Sequence, residues 1–285
     1  MDDTNDSPSY SSTSTSPTNI FQPNQISKII DICYEGSSFV GFIISVIQIF
    51  MLGSFGNSSS ALFMLSVVVY HSLAILKNVF PKFKIEADLQ NKLFLSSDVH
   101  YLTIAILFMF THICPLLYIL SYTIIFFIKG IDFAIKTLIP TILKYVSPSN
   151  SSSTDLSSDS TLITEKSPIL DQIEKLAALP ILPQIAAYIS ILLSVQLFFI
   201  LLFDFRLLTF ISFLAYSLWL LAFEYSNNEA HARAWSSVSI YLRDFSTKNS
   251  ETFGPKIDVV LDKFQDFGKT VSAWYPSRDL KIHLQ

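Results

Sequence analysis

The residues of this chain that could do chemistry are five histidines, two cysteines and an Asp-x-Arg pair. The histidines stand at 71, 100, 112, 231 and 283. His71 and His112 fall inside long uncharged runs. An ionisable group within a membrane segment is a functional candidate by default, as a proton relay or ion site. Neither histidine has a carboxylate within its own run, where transporters and pumps usually keep one. A neutral imidazole hydrogen-bonded to a Ser, Thr or carbonyl of a neighbouring helix is the plainer expectation. Cys33 and Cys114 cannot form a disulfide framework; Cys114 reads as a packed thiol, and Cys33 stands near a membrane entry, where a cysteine is open to acylation. Asp204 and Arg206, two residues apart, read as the charges that keep a turn at the water boundary. No G-x-G-x-x-G, P-loop, H-E-x-x-H, C-x-x-C or G-x-S-x-G occurs. The expectation is a protein that is not an enzyme and needs no cofactor and no metal.

The elements that must position these residues are helices soluble in lipid. The 285 residues are 51% hydrophobic and 15% charged, and the mean hydropathy is +0.46. Soluble domains carry about 25% charge. Gln184–Phe203 holds 20 residues without a charge, about 30 Å of helix, which matches the hydrocarbon core of a bilayer. After Asp204-Phe205-Arg206 a second uncharged run, Leu207–Phe223, returns. The pair predicts a helical hairpin. A second hairpin is expected over 36–80, divided by the polar cluster Gly53–Ser60, which contains the sequon Asn57-Ser58-Ser59. Val99–Ile128 is uncharged with Pro115 at its centre. It can be one long kinked helix or two short arms that bend at Ile113-Cys114-Pro115.

Between these units the character changes. Residues 1–25 are rich in Ser, Thr, Asn, Asp and Pro and are expected to be disordered; Ser7-Pro8 and Ser16-Pro17 are candidate phosphorylation sites within them. Ile26–Tyr34 reads as a short amphipathic lead-in. Residues 26–145 form the first membrane part, and its last stretch, 129–145, reads as a helix lying in the interface. Residues 146–168 are a low-complexity linker, 169–225 the last membrane hairpin, and 226–285 a helical tail. Asn227 or Asn228 can cap the first tail helix. The second, 255–274, is amphipathic: Ile257, Val260, Phe264, Phe267, Val271 and Trp274 recur at spacings of three and four. Its charges cancel, so membrane binding there would rely on the apolar face rather than on anionic lipid. The same spacing fits packing on a neighbouring helix.

Basic residues cluster in the 77–98 loop, in 129–175 and in the tail. Short basic loops stay cytosolic, which predicts an even number of crossings in each unit and cytosolic N- and C-termini. Three hairpins entering from one face meet that condition. A net charge of −4 argues against nucleic acid as a partner. The lipid bilayer is the expected one.

Three places carry a resemblance to a known family. Leu93-Phe94-Leu95-Ser96-Ser97-Asp98-Val99-His100-Tyr101-Leu102 leads into the central apolar segment; Leu138-Ile139-Pro140-Thr141 follows it; and the 184–226 hairpin has Arg206 at its turn and Tyr225-Ser226 at its exit. This layout, over about 36–275, resembles the transmembrane protein 33 family, whose fungal members are nuclear-pore-associated membrane proteins. The resemblance implies an all-α membrane fold of hairpins with a C-terminal amphipathic helical tail. It also implies residence in the endoplasmic reticulum and nuclear envelope, roles in membrane curvature and nuclear pore complex assembly or distribution, nucleoporins or other membrane-shaping proteins as partners, and no catalysis. Two features depart from it: the tail helix is charge-neutral where a basic one would meet an import receptor, and Glu224 stands where a basic residue is expected. Alternative readings are a small transporter or channel using His71 and His112, or an adaptor recruiting a soluble partner through 226–285.

Overall fold

A computed structural model describes residues 23–51, 57–79, 89–146, 168–249 and 254–273, and among them every regular element is helical. The order is α1 (Pro23–Phe50), α2 (Asn57–Val79), α3 (Leu89–Leu95), α4 (Ser97–Thr111), α5 (Leu116–Phe133), α6 (Ile139–Val146), α7 (Pro168–Ala177), α8 (Ile181–Phe203), α9 (Leu207–Leu214), α10 (Leu221–Asn227), α11 (Glu229–Asn249) and α12 (Gly254–Ala273). Single π-helical stretches, Ala134–Leu138 and Ala215–Leu220, join α5 to α6 and α9 to α10 without a break. Five continuous helices are long and apolar enough to cross a membrane: Gln25–Phe50, Ser60–Val79, Leu116–Ile142, Ile181–Phe203 and Leu207–Asn227; α4 is a shorter apolar helix. The protein is a multi-pass helical membrane protein by this measure.

The six apolar helices run as three antiparallel pairs. Asp31 of α1 meets Lys77 of α2 at 2.9 Å, and at the opposite end Gln48 Nε2 donates to Ser60 Oγ at 3.3 Å. In the second pair, ring contacts join Tyr101 to Tyr122 and Phe108 to Tyr118, so Val99–Ile128 folds back on itself. The turn is His112–Pro115, with His112 left-handed at φ 55°; Pro115 cannot extend α4 and instead opens α5. In the third pair, Asp204 and Arg206 form an ion pair at the turn. α5 is the spine: Gly36 and Gly41 of α1 pack on its Phe133 and Phe126, and Ser121 and Leu117 bond to Ser190 and Gln196 of α8. These pairings put residues 23, 79, 97, 146, 168 and 227 at one end of the bundle, the near end, and 50, 57, 112 and 204 at the far end.

The interior combines aromatic and aliphatic side chains with buried hydroxyls, and the exterior is apolar as well. Buried positions include Ser38, Ser45, Ser121, Ser190, Ser212 and Ser217, while Leu62, Leu65, Phe110, Leu192, Phe199 and Phe203 face outward. Small and hydroxylated residues let helix backbones approach closely, which is how helices associate in lipid. At Gly130 the backbones of α5 and α1 come close: a Cβ there would lie 2.8 Å from Phe39 Cα.

Two element boundaries differ from the sequence expectation. The lead-in Ile26–Tyr34 is part of α1 and not a separate helix, because Asp31 and Tyr34 pair with Lys77 and Tyr70 of α2. Residues 129–146 continue α5: Gly130 and Ala134 face inward while Lys129, Asp132 and Lys136 face outward, with an i,i+4 ion pair between the last two. The tail expected over 1–25 and the linker over 146–168 fall outside the described residues except where 23–25 open α1, Val146 ends α6 and Pro168 opens α7. Ser7, Ser16 and the turn at 52–56 lie outside them too.

Candidate functional site

The inward stripe of α2 is Phe63, Met64, Val67, Tyr70, His71 and Ala74, helical spacing that brings one imidazole into an otherwise aromatic and aliphatic interior. His71 is 5% exposed. Its Nδ1 is 3.0 Å from Asp98 Oδ1, and its Nε2 is 2.7 Å from Tyr122 Oη. Asp98 sits in the first turn of α4, where the helix dipole favours a carboxylate; Asn78 donates to its other oxygen at 3.3 Å. Tyr122 belongs to the inner stripe of α5. The ring of Tyr101 stacks on His71 with centroids 5.3 Å apart and planes 10° from parallel. Two helices, α4 and α5, thus hold the imidazole of α2 by both nitrogens and one face. Next to it Tyr34 and Tyr70 share a hydroxyl–hydroxyl bond of 2.9 Å, and the Lys77 ammonium lies over the Tyr34 ring.

A second polar group lies at the junction of α10 and α11. From Leu220, the last residue of the π stretch, to Glu224 every residue is buried, because α10 packs on α11 and α12 and its Phe223 meets His100 of α4. Glu224 is 2% exposed and accepts from Asn228 Nδ2 at 2.9 Å. Asn228 ends α10 and caps α11 through its Oδ1, which takes the Ala230 N–H at 3.0 Å. One turn on, His231 is 6% exposed, with its Nδ1 3.7 Å from Glu224 Oε2, beyond a hydrogen bond. Burial pushes the His231 imidazole down to about 4. His231, Ala234 and Trp235 form the inner face of α11 against Ala187 and Ile191 of α8.

The two groups face a common cleft of about 350 Å³ at the near end. Its polar wall includes His71, Asp98, Glu224 and His231; Tyr70, Tyr101 and Tyr122 line it as well. Ile125, Ile128, Pro183 and Ala186 are the apolar side, and Lys129 stands at an exposed edge. Among the described residues no cluster of His, Cys, Asp or Glu has the geometry to hold a metal ion.

The structure separates the residues that the sequence suggested for transport. His112 is exposed in the far-end turn, and 14 residues of helical rise from Asp98, about 21 Å, divide it from His71. His100 is buried against Phe223 and Trp219 and bonds the Phe94 carbonyl at 2.8 Å. Asp204 and Arg206 bond each other at 2.9 Å in the far turn. Of the tail face, Val260 and Phe267 are exposed, the side chains of Ile257, Phe264 and Val271 are not described, and Trp274 lies outside the described residues. α12 buries Leu261 and pairs Asp262 with Arg243 of α11 at 2.5 Å. Asp98 and Glu224 escaped the sequence reading because each stands at the edge of an apolar run, where a charge reads as a stop. No periodic signal in the sequence joins Glu224 to His231, because α10 ends at Asn227 and the extended Asn228 starts a new helix between them.

Comparison with protein-family models, with curated proteins and with solved structures finds no match to this chain.

Proposed function

We propose that this protein is a non-enzymatic membrane scaffold that shapes or stabilises curved membrane, in the manner of the transmembrane protein 33 family. The reading places it in the endoplasmic reticulum and nuclear envelope, at sites where pore complexes assemble, with both termini cytosolic. The observation that carries it is the one-sided build. Among the described residues, α3, α7, α11 and α12 all join the bundle at the end where the three helix pairs open. At the far end the third hairpin closes in a tight turn, and α4, with 15 residues, spans only about 22 Å, short of a full crossing. A body wider at one face than at the other favours a bent bilayer, and exposed Val259, Val260 and Phe267 give α12 an apolar edge for the adjoining leaflet.

The test is partition of the full-length protein between small and large vesicles of one composition. The scaffold reading expects enrichment in the small ones, and Val260→Asp with Phe267→Asp reduces it. Equal partition of the unaltered protein overturns the reading. The His71–Asp98 contact favours a second reading, proton-linked transport: flux in proteoliposomes that is lost in His71→Ala and in Asp98→Asn would establish it, and the absence of flux rejects it.

A further inference from the structure

His231 is a buried polar side chain whose bonding the bundle leaves incomplete. It is 6% exposed and lines the near-end cleft, and neither ring nitrogen has a hydrogen-bond partner among the described residues. Both nitrogens of His71, in the same cleft, are engaged by Asp98 and Tyr122. Leaving buried polar atoms unbonded is costly, so the His231 ring calls for a guest. Burial pushes its imidazole down to about 4, so at pH 7 it is neutral and offers one acceptor nitrogen and one N–H. A phosphate or carboxylate therefore finds no cation on this ring. An ether or carbonyl can only accept. A hydroxyl both donates and accepts, and so suits the ring in either tautomer. The rest of the lining sets the body that carries the hydroxyl. Ile125 and Ile128 of α5 and Pro183 and Ala186 of α8 give the cleft an apolar side. On α8 the lining runs from exposed Pro183 to buried Ser190, about 10 Å along the helix. The volume of about 350 Å³ is far more than the ~30 Å³ that one water takes up.

We propose that this cleft receives the bare hydroxyl head of a neutral lipid, with His231 as its hydrogen-bond partner and the Ile125, Ile128, Pro183 and Ala186 side against the adjoining hydrocarbon. Ser97, Asp98 and Pro183 of the lining stand at the near ends of α4 and α8, and α8 is long and apolar enough to cross a membrane. That end is the level at which lipid heads meet the hydrocarbon core. The cleft volume lies at the small end of the range for ligand sites, suited to one end of a lipid rather than to the whole molecule. Lys129, exposed at the edge, can meet a phosphate in water, but a phosphate drawn inward to His231 would lose its hydration for a neutral ring. Two lipid classes carry the required group, diacylglycerols and sterols. The inference does not rest on the curvature reading.

The experiment is thermal unfolding of the full-length protein in detergent, titrated with dioctanoylglycerol, with cholesterol, with the deoxy counterpart of each that lacks the hydroxyl, with dioctanoyl phosphatidic acid and with glycerol. The expected result is a saturable rise in melting temperature with one or both hydroxyl lipids and none with the deoxy compounds. A rise with dioctanoylglycerol alone identifies a diacylglycerol site, and a rise with cholesterol alone a sterol site. His231→Phe keeps the ring and removes its nitrogens, and it weakens binding about tenfold, the loss expected for a buried hydrogen bond. His231→Gln restores an N–H and an acceptor and recovers part of the affinity. Affinity is read from the midpoint of each titration, so a shift in the unliganded melting temperature of a variant does not enter. Should His231→Phe fail to fold, the comparison of hydroxyl with deoxy lipids on the unaltered protein decides alone. Equal response to the deoxy compounds, a stronger response to phosphatidic acid, an equal response to glycerol, no response to either hydroxyl lipid, or unchanged affinity in His231→Phe overturns the proposal.

Discussion

A tyrosine hydroxyl from α5 and a carboxylate from α4 hold the imidazole of His71, so the worth of each bond can be measured separately. Tyr122→Phe removes the 2.7 Å contact and no packing. It is expected to cost about 1 kcal/mol, typical of side-chain bonds between membrane helices, and to couple non-additively with His71→Ala in a double-mutant cycle read by melting in detergent. His231 makes a pH prediction. Its folded value is lowered to about 4 from an ordinary 6.5, so the unfolded chain takes up a proton that the folded one refuses. Stability from this group is complete above pH 6.5 and falls as the pH drops from 6.5 towards 4, by about 3 kcal/mol in all. Melting curves across that window should lose this component in His231→Phe. At this scale the sequence was only partly informative. It showed that His71 and His112 lie in apolar runs, and it suggested a neutral, bonded His71. It did not show that Asp98, 27 residues away, would fold onto His71, because that pairing depends on how α2 and α4 align across the bundle.

Helix pairs are where the sequence was most informative. Long uncharged runs ended by charge define membrane segments whatever the fold, and the Pro115 bend lay in plain view. The continuation of α5 through 129–146 was harder, since its charges suggested a new interfacial element. They lie on the outer face, while Gly130 and Ala134 keep the inner one small. That arrangement makes Gly130 a sensitive position. Gly130→Ala must displace the α1 backbone at Phe39, not a mobile side chain, and is expected to destabilise by about 1–3 kcal/mol. Gly130→Leu should prevent α1 from docking, measured as loss of a cysteine cross-link between positions 36 and 133. By contrast, His112→Gly relieves a left-handed backbone at an exposed turn and should leave melting unchanged or slightly higher.

At the scale of the whole molecule, the three antiparallel pairs make one end common to every long connection. Single cysteines placed at 155 and at 280 should react with an impermeant maleimide from the same side of sealed microsomes, while a cysteine at 206 should react only after permeabilisation. Opposite labelling of 155 and 280 would break the pairing. The lysines of the sequence lead to the expectation of this sidedness, which the labelling tests; they do not show that α10 packs on α11 and α12, since such burial shows only in the assembled core. The far-end connections have a consequence for biogenesis. Residues 52–56 and 112–115 carry no carboxylate, lysine or arginine, and 204–206 carry one acid and one base that neutralise each other. Almost nothing hydrated has to be dragged through the hydrocarbon while the chain is being made. Each pair of helices can slip in as a preformed unit from the side of synthesis, so maturation should be insensitive to the loss of machinery that exports long hydrophilic domains.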